Sequence, residues 1–161
     1  TRGFEFDTVI TPADPLAITF AMTYLDATYD SFANSPVGDL TGARPGGVPE
    51  YAISTSATYT HDFGYSGNQL IARVDYSHES NVFINNGLSA VRDNNFRREV
   101  NLVNASLTLA LANGIEVSGY VRNLTNDRYI LTVFPGVAQS GTVSGYPSAP
   151  RTYGGTVRFK F

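Results

Sequence analysis

The chain has 161 residues, enough for one domain with its own core, and a net charge of −3. That charge argues against nucleic acid as a partner, since phosphate binding needs a basic face, and the absence of cysteine excludes disulfides and thiolate metal sites. Charged residues are only 16%, below the roughly 25% of ordinary soluble domains, whereas aromatics reach 12%, all Tyr and Phe.

Taken in chain order, the pattern predicts an all-β, antiparallel chain of about seven strands, near 3–11, 16–29, 50–61, 69–79, 100–110, 115–123 and 151–161. Short turns (Pro12-Ala13-Asp14-Pro15, Asp62 to Asn68, Ala112-Asn113-Gly114) alternate with long connections near 30–49, 80–99 and 124–150. Asp-Pro and Asn-Gly are hairpin formers, which supports the short set. No apolar run approaches the roughly 18–20 residues of a membrane helix. A membrane barrel leaves no such run, because lipid-facing and lumen-facing residues alternate. Thr1-Arg2-Gly3-Phe4 is not expected to be a signal peptide, since the apolar h-region is missing.

Alternate side chains of a strand point to opposite faces. The second strand sets Leu16, Ile18, Phe20, Met22 and Tyr24 against Ala17, Thr19, Ala21 and Thr23. The fourth sets Leu70, Ala72, Val74 and Tyr76 against Ile71, Arg73, Asp75, Ser77 and Glu79. Across the strand bodies the charges Glu5, Asp7, Arg73, Asp75, Glu79, Glu116, Arg122, Arg158 and Lys160 all fall opposite the apolar row. A charge facing lipid at mid-bilayer costs roughly 2–4 kcal/mol, so this segregation suits a transmembrane β-barrel. The polar face is mostly Thr, Ser, Ala and Gly, as in a crowded, hydrated lumen. Tyr51 and Tyr59 bracket an outward row of roughly 26 Å at about 3.3 Å per residue.

The last strand sets Tyr153, Gly155, Val157, Phe159 and Phe161 against Thr152, Gly154, Thr156, Arg158 and Lys160. It resembles the closing strand of a bacterial outer-membrane β-barrel. The resemblance implies that Phe161, with Phe159 and Tyr153, belongs to a signal read by the barrel assembly machinery, and that Phe161 lies at the periplasmic rim.

Four further patterns resemble the C-terminal barrel of TonB-dependent receptors. They are Arg2-Gly3-Phe4-Glu5-Phe6 with a following strand ending Thr23 to Tyr29; Gly42-Ala43-Arg44-Pro45-Gly46-Gly47-Val48-Pro49; Val121-Arg122-Asn123-Leu124-Thr125-Asn126-Asp127-Arg128-Tyr129; and Pro150-Arg151-Thr152-Tyr153-Gly154. Their order across residues 1–161 implies the last seven strands of a 22-stranded barrel, without the family's plug domain. The implied function is a share in the active uptake of a scarce solute, most often a ferric siderophore, through an integral outer-membrane receptor. The implied partners are outer-membrane lipid and lipopolysaccharide, the barrel assembly machinery, and TonB through an N-terminal part outside this chain. The family motif is structural, on Asn123, Leu124, Asp127, Tyr129, Pro150 and Arg151. The side chains of Asn123, Asn126 and Asp127 are expected to bond nearby backbone where the strand leaves the sheet. The match of Asn123-Leu124-Thr125 to a glycosylation acceptor is read as fortuitous. Two alternatives stand: a smaller outer-membrane barrel, such as a porin or autotransporter translocator, and a soluble β-sandwich binding module.

No enzymatic chemistry, metal or cofactor is expected. His61 and His78 share no metal-ligand spacing. Neighbouring strand residues face opposite ways, so Ser77, His78 and Glu79 cannot form a triad among themselves. The loop cluster Arg92, Phe96, Arg97 and Arg98 is a candidate set of extracellular ligand contacts, weighed against a solvated loop or a lipopolysaccharide contact. Glu5, Asp7, Arg73, Asp75, Arg122 and Arg158 are expected to form ion pairs in the lumen.

Overall fold

The computed structural model describes residues 1–35, 38–84, 96–136, 138 and 141–160. Nine strands follow in order: β1 (Arg2–Ala13), β2 (Leu16–Asp26), β3 (Tyr51–Asp62), β4 (Gln69–Phe83), β5 (Arg97–Ala110), β6 (Ile115–Arg122), β7 (Ile130–Pro135), β8 (Val143–Pro147) and β9 (Thr152–Phe159). Seven of them form one antiparallel sheet, β1-β2-β3-β4-β5-β6-β9, and β7 pairs with β8 in a separate hairpin. The described residues contain no α-helix, and so none that is long and apolar enough to cross a membrane.

The register carries one face through every strand. Ile10 pairs with Ile18, Ile18 with Ala57, Ala57 with Val74, Val74 with Ala105, Ala105 with Val121 and Val121 with Tyr153. The opposite parity joins Ala17, Thr58, Arg73, Ser106, Tyr120 and Gly154 in the same way. A slip of one residue at any ladder would mix the two faces, and no such slip occurs in these rows. Hydroxyl pairs hold the polar side together: Thr19 Oγ1 and Ser56 Oγ are 2.7 Å apart, and Thr108 Oγ1 and Ser118 Oγ 2.9 Å.

The same register measures the tilt. Leu16, at the foot of β2, leads through Tyr59, Ala72 and Leu107 to Gly119 of β6, which is four residues above Ile115 at the foot of that strand. Four residues over the four steps from β2 to β6 is a stagger of one residue per strand. With about 3.3 Å per residue and about 4.8 Å between strands, that stagger corresponds to a tilt of about 35°. Closed barrels tilt their strands by about this much.

Among the described residues nothing forms a layer facing the sheet. Its accessible surface is 10751 Å² for 17.4 kDa, whereas a compact monomer of that mass exposes about 7,900 Å². A β-sandwich covers its apolar face with a second sheet. Here Phe6, Ile10, Val74, Leu107, Val117 and Val157 remain exposed. The soluble sandwich is therefore not the fold. The sheet is also not closed: among the described residues β1 and β9 each keep one unpaired edge.

Two expected boundaries change. β4 and β5 run past 79 and start before 100, because a register shift between Glu79 and Val82 lets the ladder resume at Val82 with Arg98 and Phe83 with Arg97. A bulge of this kind breaks the period-two pattern at the point where the sequence reading stops. The long connection 124–150 also contains the β7–β8 hairpin, a pair absent from the seven-strand expectation.

Candidate functional site

The described parts of the three long connections lie at one end of the sheet, where β4 and β5 project furthest. On the β2 side, the backbone folds back on itself: Tyr29 N–H donates to Ala43 O at 3.0 Å and Gly42 N–H to Tyr29 O at 2.8 Å. Arg44 donates to Leu25 O at 2.7 Å and lies 3.9 and 4.0 Å from the carboxylates of Asp26 and Glu50. The amides of Glu50 and Tyr51 both donate to Ser80 Oγ, at 2.9 and 3.1 Å, which ties this connection to the β4 projection.

Asn123 organises the other side. It follows β6 with φ of 53°, a left-handed conformation that Asn tolerates better than most residues. Its side chain uses both ends. Asp127 N–H donates to Asn123 Oδ1 at 2.8 Å, and Asn123 Nδ2 donates to Asp127 O at 2.9 Å and Ala149 O at 3.1 Å. Asp127 in turn accepts from Asn101 N–H at 2.9 Å, and Leu124 N–H donates to Val103 O at 2.7 Å. Asn104 Oδ1 accepts from Asn123 N–H at 3.0 Å. Together these bonds cover the β5 edge that β6, ending at Arg122, leaves open.

The approach to β9 is held by the same group. Arg151 N–H donates to Asn126 Oδ1 at 3.2 Å, Arg151 Nη1 reaches Leu124 O at 3.4 Å, and Tyr129 N–H donates to Ser148 Oγ at 3.1 Å. The structure thus joins Asn123, Leu124, Asp127 and Arg151 in one network, with Tyr129 bonded to Ser148 beside it and Pro150 on the same turn into β9. Asn123 is 5% exposed, with its amide engaged in these bonds.

Above this network sits the β7–β8 hairpin. Val133 N–H and Thr132 Oγ1 both donate to Ile84 O at 3.1 Å, and Val133 packs with Val82 and Ile84, against which Phe96 leans. Gly145 sits where the two strands come close: a Cβ there would lie 3.0 Å from Ile130 Cγ2 and 3.1 Å from Thr132 O. Two grooves flank the hairpin. One, of about 390 Å³, is lined by Arg128, Tyr129, Ile130, Pro147, Ser148 and Pro150. The other, of about 320 Å³, includes Phe96, Arg97, Ile130, Val133 and Val143.

The arginines expected on a loop lie elsewhere. Arg97 and Arg98 are in β5 and, as neighbours in a strand, face opposite ways. Arg97 lies over the Phe83 ring at 4.0 Å and approaches Asn81 at 3.4 Å. Arg98 pairs with Glu79 at 3.0 Å and lies 6.0 Å from the Tyr129 ring centroid. Phe96 belongs to the small apolar cluster under the hairpin. Arg92 and Phe161 lie outside the described residues. Phe159 and Tyr153 are exposed on the apolar side of β9, Tyr153 at 83%.

The expected lumenal pairs form in part. Arg73 meets Asp75 at 2.6 Å, and Arg158 and Lys160 meet Glu116 at 3.5 and 3.6 Å. Glu5, Asp7 and Arg122 make no ion pair with a described residue; Arg122 instead lies 5.3 Å over the Tyr120 ring. The reason for the unpaired carboxylates is position, since β1 is an outer strand with only β2 beside it. His78 is on the apolar side, with its ring beside Tyr51 and Tyr76 and Nδ1 2.9 Å from Asn101 Oδ1. Glu79 is across the sheet with Arg98, so Ser77, His78 and Glu79 form no triad. His61 makes an edge contact with Phe63 at 4.9 Å. Among the described residues no group of three acidic or imidazole side chains could hold a metal.

No protein-family model and no curated protein sequence matches the chain. Among solved structures it is similar to the crystal structure of the ferric yersiniabactin uptake receptor FyuA from Yersinia pestis, with a TM-score of 0.77 and 20% sequence identity. The match covers 99% of this chain and 23% of that one. The likeness is one of fold: an open, all-β sheet that resembles part of a barrel receptor.

Proposed function

We propose that the chain is a wall segment of an outer-membrane TonB-dependent receptor, contributing seven strands and three extracellular connections to a larger barrel. The observation that carries this reading is the apolar face, continuous through seven strands and covered by no second layer among the described residues. In hydrocarbon that face needs no cover, and the polar face becomes the wall of a wet lumen.

Strand direction supports a larger barrel. β1 and β9 both run from the long-connection end to the short-turn end, so pairing them with each other would be parallel. Antiparallel closure needs an odd number of further strands between them. A 22-stranded barrel supplies fifteen, and lipid requires that the edges be closed in some way. Closure by these seven strands alone fails on this count, whereas a smaller porin or translocator barrel with an even number of strands would also meet it. The four family-like patterns support a position at the C-terminal part of such a receptor, with Tyr153, Phe159 and Phe161 proposed for its assembly signal. The structural neighbour is a siderophore receptor by its description, which favours a ferric chelate as the solute. In this reading the plug and the TonB contact come from outside residues 1–161, and lipopolysaccharide surrounds the projecting end.

Topology tests the proposal. Cys at Ser35, in a long connection, should react with an impermeant thiol reagent on intact cells. Cys at Ala13 or Asn113, in the short turns, should react only after the outer membrane is breached. Labelling of the short turns on intact cells would invert the orientation, and equal labelling at all three would remove the membrane reading.

A further inference from the structure

We infer that Tyr120 is a positioning residue that sets the register of the edge strand β9, and so fixes where any further strand must bond to it. The inference concerns the sheet itself and holds whether or not the apolar face meets lipid. On the polar face Tyr120 is opposite Gly154, and its ring reaches across the ladder onto that glycine. A Cβ at Gly154 would lie 2.7 Å from Tyr120 Oη, 2.9 Å from Cζ and 3.2 Å from Cε1, so no side chain fits beneath the ring. Gly154 is accordingly half-buried, while every other residue of β9 is exposed. Arg122, next along the same face, lies 5.3 Å from the ring and adds to its hold.

The other contacts of β9 specify its register poorly. A slip of one residue would swap its faces, but a slip of two leaves them in place. If Val117 met Phe159 in place of Val157, the apolar row would stay apolar. Glu116 would then face Lys160 in place of Arg158, and its carboxylate already lies 3.6 and 3.5 Å from those two cations. The ion pair therefore does not distinguish the two registers. Tyr120 does, because its ring would land on the β-branched Thr156 where a glycine now makes room. The opposite slip would set it on Thr152. The Asn123 network holds Arg151 at the head of the strand. Between that anchor and the rest of β9 lie Gly154 and Gly155, and strand glycines favour the bulges that absorb such a shift. The ring covers the point where that bulge would form. The consequence reaches past β9, whose far edge is unpaired among the described residues. A slip of two residues would move the hydrogen-bonding groups of that edge by about 6.6 Å, at about 3.3 Å per residue.

Disulfide trapping in the full-length polypeptide that contains this chain reads the register directly, and residues 1–161 hold no cysteine to interfere. Val117→Cys with Val157→Cys reports the observed register. Lys160 N–H bonds Gly114 O, which makes Val117 and Val157 a non-hydrogen-bonded pair, the closer kind. Val117→Cys with Phe159→Cys reports the slipped register, since in the observed one these positions are diagonal, roughly 7–8 Å apart, and too far for a disulfide. With Tyr120 in place only the first pair should close. Tyr120→Ala should raise the ratio of slipped to observed product about tenfold, and Tyr120→Phe, which keeps the ring, should leave it unchanged. Thr156→Gly offers the intact ring a second seat, so it should also raise the slipped product, and it decides the matter if Tyr120→Ala fails to fold. A ratio unmoved by Tyr120→Ala, or by Thr156→Gly where the Ala variant does not fold, would overturn the inference. So would slippage in Tyr120→Phe equal to that of Tyr120→Ala. The Cys labelling above reads membrane orientation and fails or succeeds independently of these ratios.

Discussion

The wall of the sheet and the rim above it handle apolar and polar groups in opposite ways. Along β1 to β6 and β9, apolar side chains share one face and stay exposed or half-buried, while polar groups find partners mainly across the ladders. At the rim, Ala27, Val82, Ile84, Val100 and Val133 are buried, and Asn123 and Ser80 are buried with hydrogen bonds. The rim therefore behaves like ordinary water-soluble protein, with a small core of its own. The wall behaves as a surface whose partner lies outside the chain. Both regions belong to one continuous chain, and the change from one to the other falls at the bulge after Glu79.

The largest effect that could break this contrast is a charge placed on the wall. Val74→Arg should impair folding into the membrane by about 2–4 kcal/mol, whereas Ser77→Arg, on the polar side, should be far milder. Urea titration of the barrel in vesicles measures both. Similar losses at the two positions would mean that both faces meet the same medium, and the lipid assignment would go with that result.

A smaller, local loss should follow at the rim. Asn123→Ala removes three side-chain bonds at a buried site and puts Ala in a left-handed conformation. Unmet partners and backbone strain together suggest about 2–3 kcal/mol. Gly at this position should be about 1 kcal/mol milder, since only the strain is relieved. Hydrogen exchange at Asp127 and Leu124 should report the opening while amides in the middle of β3 keep their protection. Loss of protection throughout the sheet would show that rim and wall are one cooperative unit.

The wall was legible in the sequence because a period of two is a simple signal repeated many times. Val74, Arg73 and their neighbours declare their faces without any knowledge of pairing. Asn123, Asn126 and Asp127 were legible as backbone-binding residues, since their short polar side chains favour that role. The bulge was not, because it inserts residues at Ser80 and Asn81 that shift the phase; past it, Arg97 and Glu99 share the parity of Val103. The β7–β8 hairpin was missed although Ile130-Leu131-Thr132-Val133-Phe134 is an apolar run ending at Pro135, a fair signal for a strand. Its partner, Val143 to Pro147, is short and holds Gly and Pro, so the pair is visible only once Val133 is seen to bond Ile84.

Within the rim the hairpin itself offers a finer test. Gly145→Ala would bring a methyl to within 3.0–3.2 Å of Ile130, Thr132 and Val133. Crowding of this kind should cost about 1 kcal/mol or a little more. The bond from Val133 N–H to Ile84 O should then exchange faster, with Asn123 and its partners unaffected. An unchanged Val133 amide would show that the hairpin can shift away without losing its hold on β4.

The smallest effect concerns the polar face, and its size is what makes it informative. Arg73 and Asp75 meet at 2.6 Å, with 47% and 35% of their side chains exposed. Two media could lie against them. In a water-filled lumen the pair is screened, and Asp75→Asn should change stability by less than about 1 kcal/mol. Against dry protein, such as a tightly apposed second layer, Arg73 would be left buried without its counter-charge, at about 3–5 kcal/mol. Urea titration of Asp75→Asn at low and high salt separates the cases, because only the screened pair loses its remaining contribution as salt rises. A small, salt-sensitive change would mark this side of the wall as wet, in contrast to the Val74 side. A large change indifferent to salt would mean that other protein is packed against it, and the sheet would then separate lipid from protein instead of lipid from water.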